Sequence, residues 1–255
     1  MTITVTGGMQ VSGGAYFGTE ILDPYYGQVV LLLNFNGLNG SQTIVDQSSY
    51  ADTSGVCVGT SALSSAQTLF GSTTLALNGP SNSGVQFNDS SRFALGSGEF
   101  CIEMFFRPTD VPFLGLGGFF CGQGPASQAD IDTSFRLYLG YTGTGYGWRG
   151  GRCVGATENT ISGGADAVTA TWYHVALYRV GNDTYLAVDG VIVGSNVSNI
   201  NPANDSAYKL GVGCMGESIS GYISTGYMGP FRMTVGAGRY PATNFTPPSG
   251  PFPTS

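Results

Sequence analysis

Residues Phe100-Cys101-Ile102-Glu103-Met104-Phe105-Phe106-Arg107 alternate with a period of two. Phe100, Ile102, Met104 and Phe106 fall on one face, and Cys101, Glu103, Phe105 and Arg107 on the other, as in a strand whose successive side chains point to opposite sides. Similar runs cover 29–35, 73–77, 135–141, 168–179, 208–212 and 227–235. Gly, Ser, Thr and Asn interrupt nearly every helical window, and these residues favour turns and caps. Short strands separated by Gly/Asn/Ser clusters predict an all-β sandwich of two antiparallel sheets. One hairpin is explicit. Runs 184–188 and 191–195 flank Asp189-Gly190, a dipeptide that suits the positive φ angles of a type I′ turn. Val188 then faces Val191.

Composition narrows the function classes. Of 255 residues, 41 are Gly, 9 are Lys or Arg, 16 are Asp or Glu, and one is His. The net charge is −7 and the cations stand singly, whereas phosphate-backbone binding needs them clustered, so no nucleic-acid partner is expected. The longest aliphatic run, 29–33, falls far short of the ~20 residues that cross a bilayer. The N-terminus lacks the basic and apolar regions of a signal peptide, so no membrane or secretory route is expected. Cys57, Cys101, Cys121, Cys153 and Cys214 are far apart and form no CxxC pair. With a single His they read as reduced, mostly buried thiols and not as a zinc site.

The termini differ from the body. Thr4-Val5-Thr6-Gly7-Gly8 is followed by Gln10-Val11-Ser12-Gly13-Gly14, a near repeat that buries little by itself. Residues 1–27 are therefore expected to form an extended arm that adds to a sheet edge, its own or a partner's. Residues 241–255 carry five prolines and are expected to lie extended over the surface of a domain spanning 28–240.

These residues also carry a family resemblance. Val29-Val30-Leu31-Leu32-Leu33-Asn34-Phe35-Asn36-Gly37 resembles the opening strand of laminin-G-like, concanavalin A-like jelly-roll domains. In that family's order follow Phe70-Gly71 with Leu75-Ala76-Leu77-Asn78-Gly79, and Gly98-Glu99-Phe100-Cys101-Ile102-Glu103 with Arg107-Pro108. Then come Thr171-Trp172-Tyr173-His174-Val175-Ala176 with Val188-Asp189-Gly190. Phe231-Arg232-Met233, Gly238-Arg239-Tyr240 and Asn244-Phe245-Thr246-Pro247-Pro248 resemble the closing strand and tail, most of all as found in structural proteins of tailed bacteriophages. The resemblance implies a two-sheet antiparallel jelly roll without enzyme activity of its own. Some members bind glycans or proteins, often through calcium-holding loops. Here Gly229-Pro230 stands where calcium-binding relatives have an Asp pair, and Asn36 where the first-strand Asp is usual. Both changes remove anionic oxygen, which calcium favours, so no cofactor is expected.

Catalytic patterns fare poorly. Glycoside hydrolysis needs two carboxylates flanking the bond. The glucanase pattern Glu-x-Asp-x-x-Glu is absent, and Glu99 and Glu103, four apart on one strand, are about 13 Å from each other. Glu103 reads as a structural residue facing Arg107. His174 sits mid-strand and reads as a packed histidine. The stretch 115–124 lacks the Lys-Ser/Thr ending of a phosphate loop. Asp130, Asp132, Asn182 and Asp183 read as turn-forming or solubilising loop residues.

Tyr141, Tyr146, Trp148 and Arg149, among glycines, form the candidate glycan or protein contact. The alternative is a hairpin whose aromatics pack on the sheet. The expected function is a non-enzymatic phage virion protein that decorates or cements the capsid exterior. The arm residues Thr4, Val5, Thr6, Gly7, Gly8, Val11, Gly13 and Gly14 would add a strand to the major capsid protein or another virion protein, within a homo-oligomer. The rival expectation is a glycan- or receptor-binding module of a tail or fibre, meeting a host-surface glycan.

Overall fold

The computed structural model describes residues 22–78, 83–110, 117–125, 130–196, 202–217 and 225–255. The candidate arm residues 4–14 lie outside the described residues. The described strands, in chain order, are β1 (Val29–Leu33), β2 (Val56–Val58), β3 (Ala62–Leu69), β4 (Ser72–Leu77), β5 (Gly84–Phe87), β6 (Phe100–Pro108), β7 (Gly117–Gln123), β8 (Phe135–Tyr141), β9 (Tyr146–Val154), β10 (Thr157–Gly163), β11 (Tyr173–Val180), β12 (Asp183–Val188), β13 (Val191–Asn196), β14 (Leu210–Val212) and β15 (Gly226–Val235). They form two antiparallel sheets. The eight-stranded sheet runs β13-β12-β11-β6-β15-β4-β3, with β1 also pairing β15. The seven-stranded sheet runs β10-β9-β8-β7-β14-β5-β2.

The alternation of 100–107 sets β6 at the centre of the larger sheet. Ile102, Met104 and Phe106 turn inward with Val175, Leu177, Leu186, Phe231 and Met233, against Phe120, Leu137, Leu139, Trp148 and Val212 from the other sheet. Phe106 and Phe120 meet between the sheets with ring centroids 4.4 Å apart, and Phe120 continues to Trp148 at 5.8 Å. Each such fully buried apolar side chain contributes about 1.5–3 kcal/mol relative to exposure.

Two local features follow directly from sequence chemistry. Asp189 and Gly190 have φ of 49° and 77°, and Val188 pairs Val191, as the Asp-Gly turn predicts. Gly229-Pro230 falls where β15 changes neighbour, from β4 at Gly226–Met228 to β1 at Phe231–Thr234. Proline brings no N–H, so it fits that break in the ladder, where the pairing with β6 also shifts register.

Three expectations need correction. The strand expected over 168–179 begins only at Tyr173, because Ala170 takes a φ of 62° that ends extended pairing. The strand expected over 208–212 begins at Leu210. Glu103 does not pair with Arg107. Its carboxylate meets Arg232, His174 and Tyr240 instead, because cross-strand neighbours lie nearer than a residue four places along the same strand.

The outer face of the eight-stranded sheet is covered by the chain's own C-terminal segment. Phe252 packs on Val29, Leu32 and Phe105. Tyr240 and Phe245 stack at 3.8 Å, over the cluster of Cys101, Ala176, Tyr178 and Ala187. Phe245 N donates to Gly190 O at 2.9 Å, an approach so close that a Cβ on Gly190 would lie 2.0 Å from Phe245 O.

Candidate functional site

The four residues singled out from the sequence do not converge on one surface. Alternation along β9 turns Tyr146 and Trp148 into the core, at 5% and 1% exposure, and Arg149 outward. Trp148 contacts Phe120 and Tyr173 and is out of reach of any external ligand. Tyr141, at the end of β8, is 55% exposed, and its ring lies 5.6 Å from that of Tyr146. The hairpin aromatics thus divide, two packing on the sheet and one facing solvent.

What the outer face of the seven-stranded sheet brings together is Tyr138, Arg149 and Asp166; Tyr141, paired with Tyr146, has the inner-face parity at the strand end and meets Arg149 only through its carbonyl. The cross-strand row runs Phe119, Tyr138, Arg149 and Ser162. Arg149 lies flat over Gly140, where a Cβ would come within 2.7 Å of its Cδ. That path lets its Nη2 donate to Tyr141 O at 2.9 Å, and its guanidinium also hydrogen-bonds the Tyr138 hydroxyl. Burial raises the Tyr138 hydroxyl above the ordinary tyrosine value, and Glu158 adds to this, so the phenol stays protonated. At the rim, Thr142 Oγ1 donates to Asp166 Oδ1 at 3.3 Å. Beside the row, Arg136 Nη1 lies 3.4 Å from Glu158 Oε2. The result is a fixed, half-exposed guanidinium beside the half-buried Tyr138, with a carboxylate at the rim and the exposed Tyr141 ring at the hairpin end beyond them. Tyr138 falls in the run 135–141 that the sequence marks as a strand, and its side of that strand follows from the alternation. Asp166 was not legible, since no spacing links it to Thr142 across 24 residues.

The carboxylates weighed for catalysis have other work. Arg232 reaches Glu103 Oε1 with Nε at 2.9 Å and Nη2 at 2.7 Å, and the Tyr240 hydroxyl donates to Oε2 at 2.5 Å. His174 Nε2 lies 3.1 Å from Oε2; a carboxylate only accepts, so that nitrogen carries the proton. Burial alone would raise the Glu103 carboxyl, but the Arg232 charge and the bonds from His174 and Tyr240 outweigh it and hold it well below the usual carboxylate range. Asp23 extends the network, accepting from Arg232 Nη1 at 3.0 Å and from both Nη atoms of Arg239 at 3.1 and 2.7 Å. Glu99 accepts the backbone N–H groups of Gly181 and Gly238 at 2.9 and 3.3 Å.

A cleft of about 760 Å³ runs between the end of β1 and residues 248–255, lined by Asn34, Gln47 and Arg232. Its deepest polar groups already serve the fold. Asn34 is bonded on both amide atoms by Phe252, and Arg232 lies 4.1 Å over the Phe252 ring while holding Glu103 and Asp23. It is a seam between sheet and tail. Among the described residues no three His, Cys, Asp or Glu side chains are grouped as metal ligands.

The architecture recurs in solved structures. Domain 4 of the extracellular arabinanase AbnA from Geobacillus stearothermophilus, solved with arabinotriose, superposes with a TM-score of 0.56 at 14% identity, over 82% of this chain and 93% of that one. The binding domain of Paraclostridial Mosquitocidal Protein 1 gives 0.59 at 14%, over 84% and 50%. Trypanosoma rangeli sialidase with sialic acid gives 0.53 at 13%, over 90% and 33%. The chain therefore spans nearly all of the arabinanase domain, half of the toxin domain and a third of the sialidase. At these identities the likeness is one of fold. No curated protein matches the sequence. The family model of the concanavalin A-like lectin/glucanases superfamily, in its laminin-G-like form, matches residues 78–227, more than half of the chain, and the chain belongs to that superfamily.

Proposed function

We propose that the chain is a non-catalytic recognition module that binds a glycan, free or on a receptor, through the outer-face patch of Tyr138, Arg149 and Asp166, with the exposed Tyr141 ring at the adjoining hairpin end. The carrying observation is Arg149, held flat by Tyr141 O and the Tyr138 hydroxyl and still half-exposed. A guanidinium fixed before binding offers directed donors to sugar hydroxyls or a sugar carboxylate at low entropic cost. Tyr141 supplies an exposed ring face and Asp166 an acceptor. Fold neighbours solved with arabinotriose and with sialic acid, and a toxin binding domain, support the reading. So does the structural use of Glu99 and Glu103, which leaves neither as an open acid.

Glycan-array screening of the full chain, followed by calorimetry on the best hit, tests it. Arg149→Ala and Tyr141→Ala are each expected to weaken binding at least about tenfold, the loss of one charge-assisted or stacking contact, with the melting temperature unchanged. Wild-type affinity in both variants would refute the patch. Release of reducing ends from the bound glycan would refute the non-catalytic reading.

A second reading places this module in a virion, decorating or cementing the capsid exterior through residues 4–14. The closing motif Arg239-Tyr240 with Asn244-Phe245-Thr246-Pro247-Pro248 supports it by resemblance to phage structural proteins. Densitometry of purified particles decides it: copy number comparable with the capsid protein fits decoration, and a far lower number fits a tail or fibre.

A further inference from the structure

Arg149 and Asp166 stand over one cross-strand pair of glycines, Gly140 on β8 and Gly147 on β9. A Cβ on Gly140 would lie 2.7 Å from Arg149 Nε and 3.0 Å from its Cζ, and a Cβ on Gly147 would lie 3.9 Å from Asp166 Oδ1. Directly opposed Cβ positions are about 4.5–5.5 Å apart, so the guanidinium and the carboxylate share one strip of the sheet. The glycines admit both groups. A side chain at 140 would displace the guanidinium, and a Cβ on Gly145 would overlap the Asp166 carboxylate.

Both groups are oriented and reach solvent. Asp166 is exposed, and Thr142 aims at it: Thr142 Oγ1 accepts the Gly145 N–H at 3.1 Å, which turns the hydroxyl hydrogen toward Asp166 Oδ1 at 3.3 Å. Arg149 is half-exposed, and its five-donor fork extends beyond the contacts with Tyr141 O and the Tyr138 hydroxyl. A fixed donor and a fixed acceptor thus face outward side by side.

The charges around them are balanced. Along the outer-facing rows from β7 to β10 the charged side chains among the described residues are Arg136, Arg149 and Glu158, and Arg136 lies 3.4 Å from Glu158. Asp166 then offsets Arg149. Beyond the effect of burial, Glu158 raises the Tyr138 hydroxyl more than the Arg149 charge lowers it. The chain as a whole carries −7. A carboxylate brought to Arg149 would meet Asp166 at the rim and Glu158 beside Tyr138, and like charges brought together select against a partner. A hydroxyl both donates and accepts, so neighbouring hydroxyls satisfy Arg149 and Asp166 together without bringing a charge.

Resting on the glycan-binding reading, we infer that the patch takes an uncharged sugar in preference to an acidic one, and that Asp166 sets the choice. Arg149 donates to one hydroxyl oxygen of a sugar ring, and Asp166 accepts from another hydroxyl of the same ring. The exposed Tyr141 ring at the hairpin end offers its face to the next sugar along the chain.

The test is an array that carries neutral glycans beside sialylated, sulfated and uronic-acid forms of the same cores, among them lactose with sialyllactose and cellotetraose with its uronic-acid tetramer. Calorimetry on the bound pair follows, with the full chain. The hits are expected to be neutral cores, with the acidic form at least about tenfold weaker, as for one like-charge contact. Raising sodium chloride about tenfold should leave the neutral affinity within about twofold, since no net charge is paired on binding. Asp166→Asn keeps the shape and removes the charge. It is expected to weaken the neutral form, strengthen the acidic form and bring the two close to parity, whereas Arg149→Ala weakens both. Hits confined to acidic glycans, a steep salt dependence, or an unchanged preference in Asp166→Asn overturns this inference and leaves glycan recognition standing. Binding of no glycan on the array overturns the glycan reading and this inference with it.

Discussion

Asn34 and Phe252, 218 residues apart, bond each other as two strands do: Asn34 Nδ2 donates to Phe252 O at 3.0 Å, and Phe252 N donates to Asn34 Oδ1 at 3.1 Å. One buried side chain thus takes the place of a strand backbone and ties the end of the chain to β1. The Phe252 ring covers Val29, Leu32 and Phe105 on the outer face. Phe252→Ala is expected to cost about 3–5 kcal/mol, as for other buried aromatics. Asn34→Ala should cost about 1–3 kcal/mol for the backbone groups left unpaired. Urea unfolding measures both, and values near zero would show that the tail is not part of the folded unit.

Glu103 and Arg232 form the centre of the outer-face network at 2.7 Å. Glu103→Gln removes one partner of a buried pair and should cost about 3–5 kcal/mol. Tyr240→Phe removes a single bond to a charged acceptor and should cost about 1.5–3 kcal/mol. The double variant is expected to cost less than the sum, because both changes remove the same contact. Additive costs would show that Tyr240 acts through packing alone.

Stability should fall on both flanks of pH. Glu103 is held below its ordinary value of 4.5 in the fold, so the unfolded chain binds its proton first as pH drops. Its contribution is complete above about pH 4.5 and is lost progressively below. Burial pushes the Cys214 thiol from 9.0 up to about 12. There the unfolded chain loses its proton first, and stability declines as pH rises from 9 towards 12. Midpoints of urea unfolding across pH should trace both slopes. A Glu103→Gln protein with the same acid slope as wild type would contradict the first assignment.

The thiols should separate by rate. Cys101, Cys121, Cys153 and Cys214 are buried, whereas Cys57 is half-buried. Mass spectrometry after brief native alkylation should find Cys57 modified well ahead of the others, and uniform modification only in denaturant. Early labelling of Cys121 would mean that the core opens locally.

Trp148 and Arg149 are adjacent and should respond in opposite ways. Trp148→Ala is expected to lose about 3–5 kcal/mol of stability. Arg149→Ala should leave unfolding midpoints unchanged and act only on binding. A stable Trp148→Ala protein would place that ring outside the core.

Much of the fold is written in local pattern. The alternation of 100–107 specifies a strand and its two faces, since a period of two leaves no choice of which side chains travel together. Asp189-Gly190 specifies its turn through backbone conformation alone. The candidate site was less legible. In 146–151, Tyr, Trp and Arg alternate with glycines, and two faces follow from the pattern without saying which one is covered. The packing of Phe120 and Tyr173 against Trp148 settles it, and sends Arg149 outward.

By itself the sequence determined the strands, the hairpin and the poverty of catalytic groups, because these rest on neighbours a few residues apart. The tertiary structure alone decided the partners of Glu103, which arrive from 71, 129 and 137 residues away. It also decided the closure of the tail by Asn34. Those contacts depend on which sheet faces lie against each other, and packing between distant strands has no local signature in the chain.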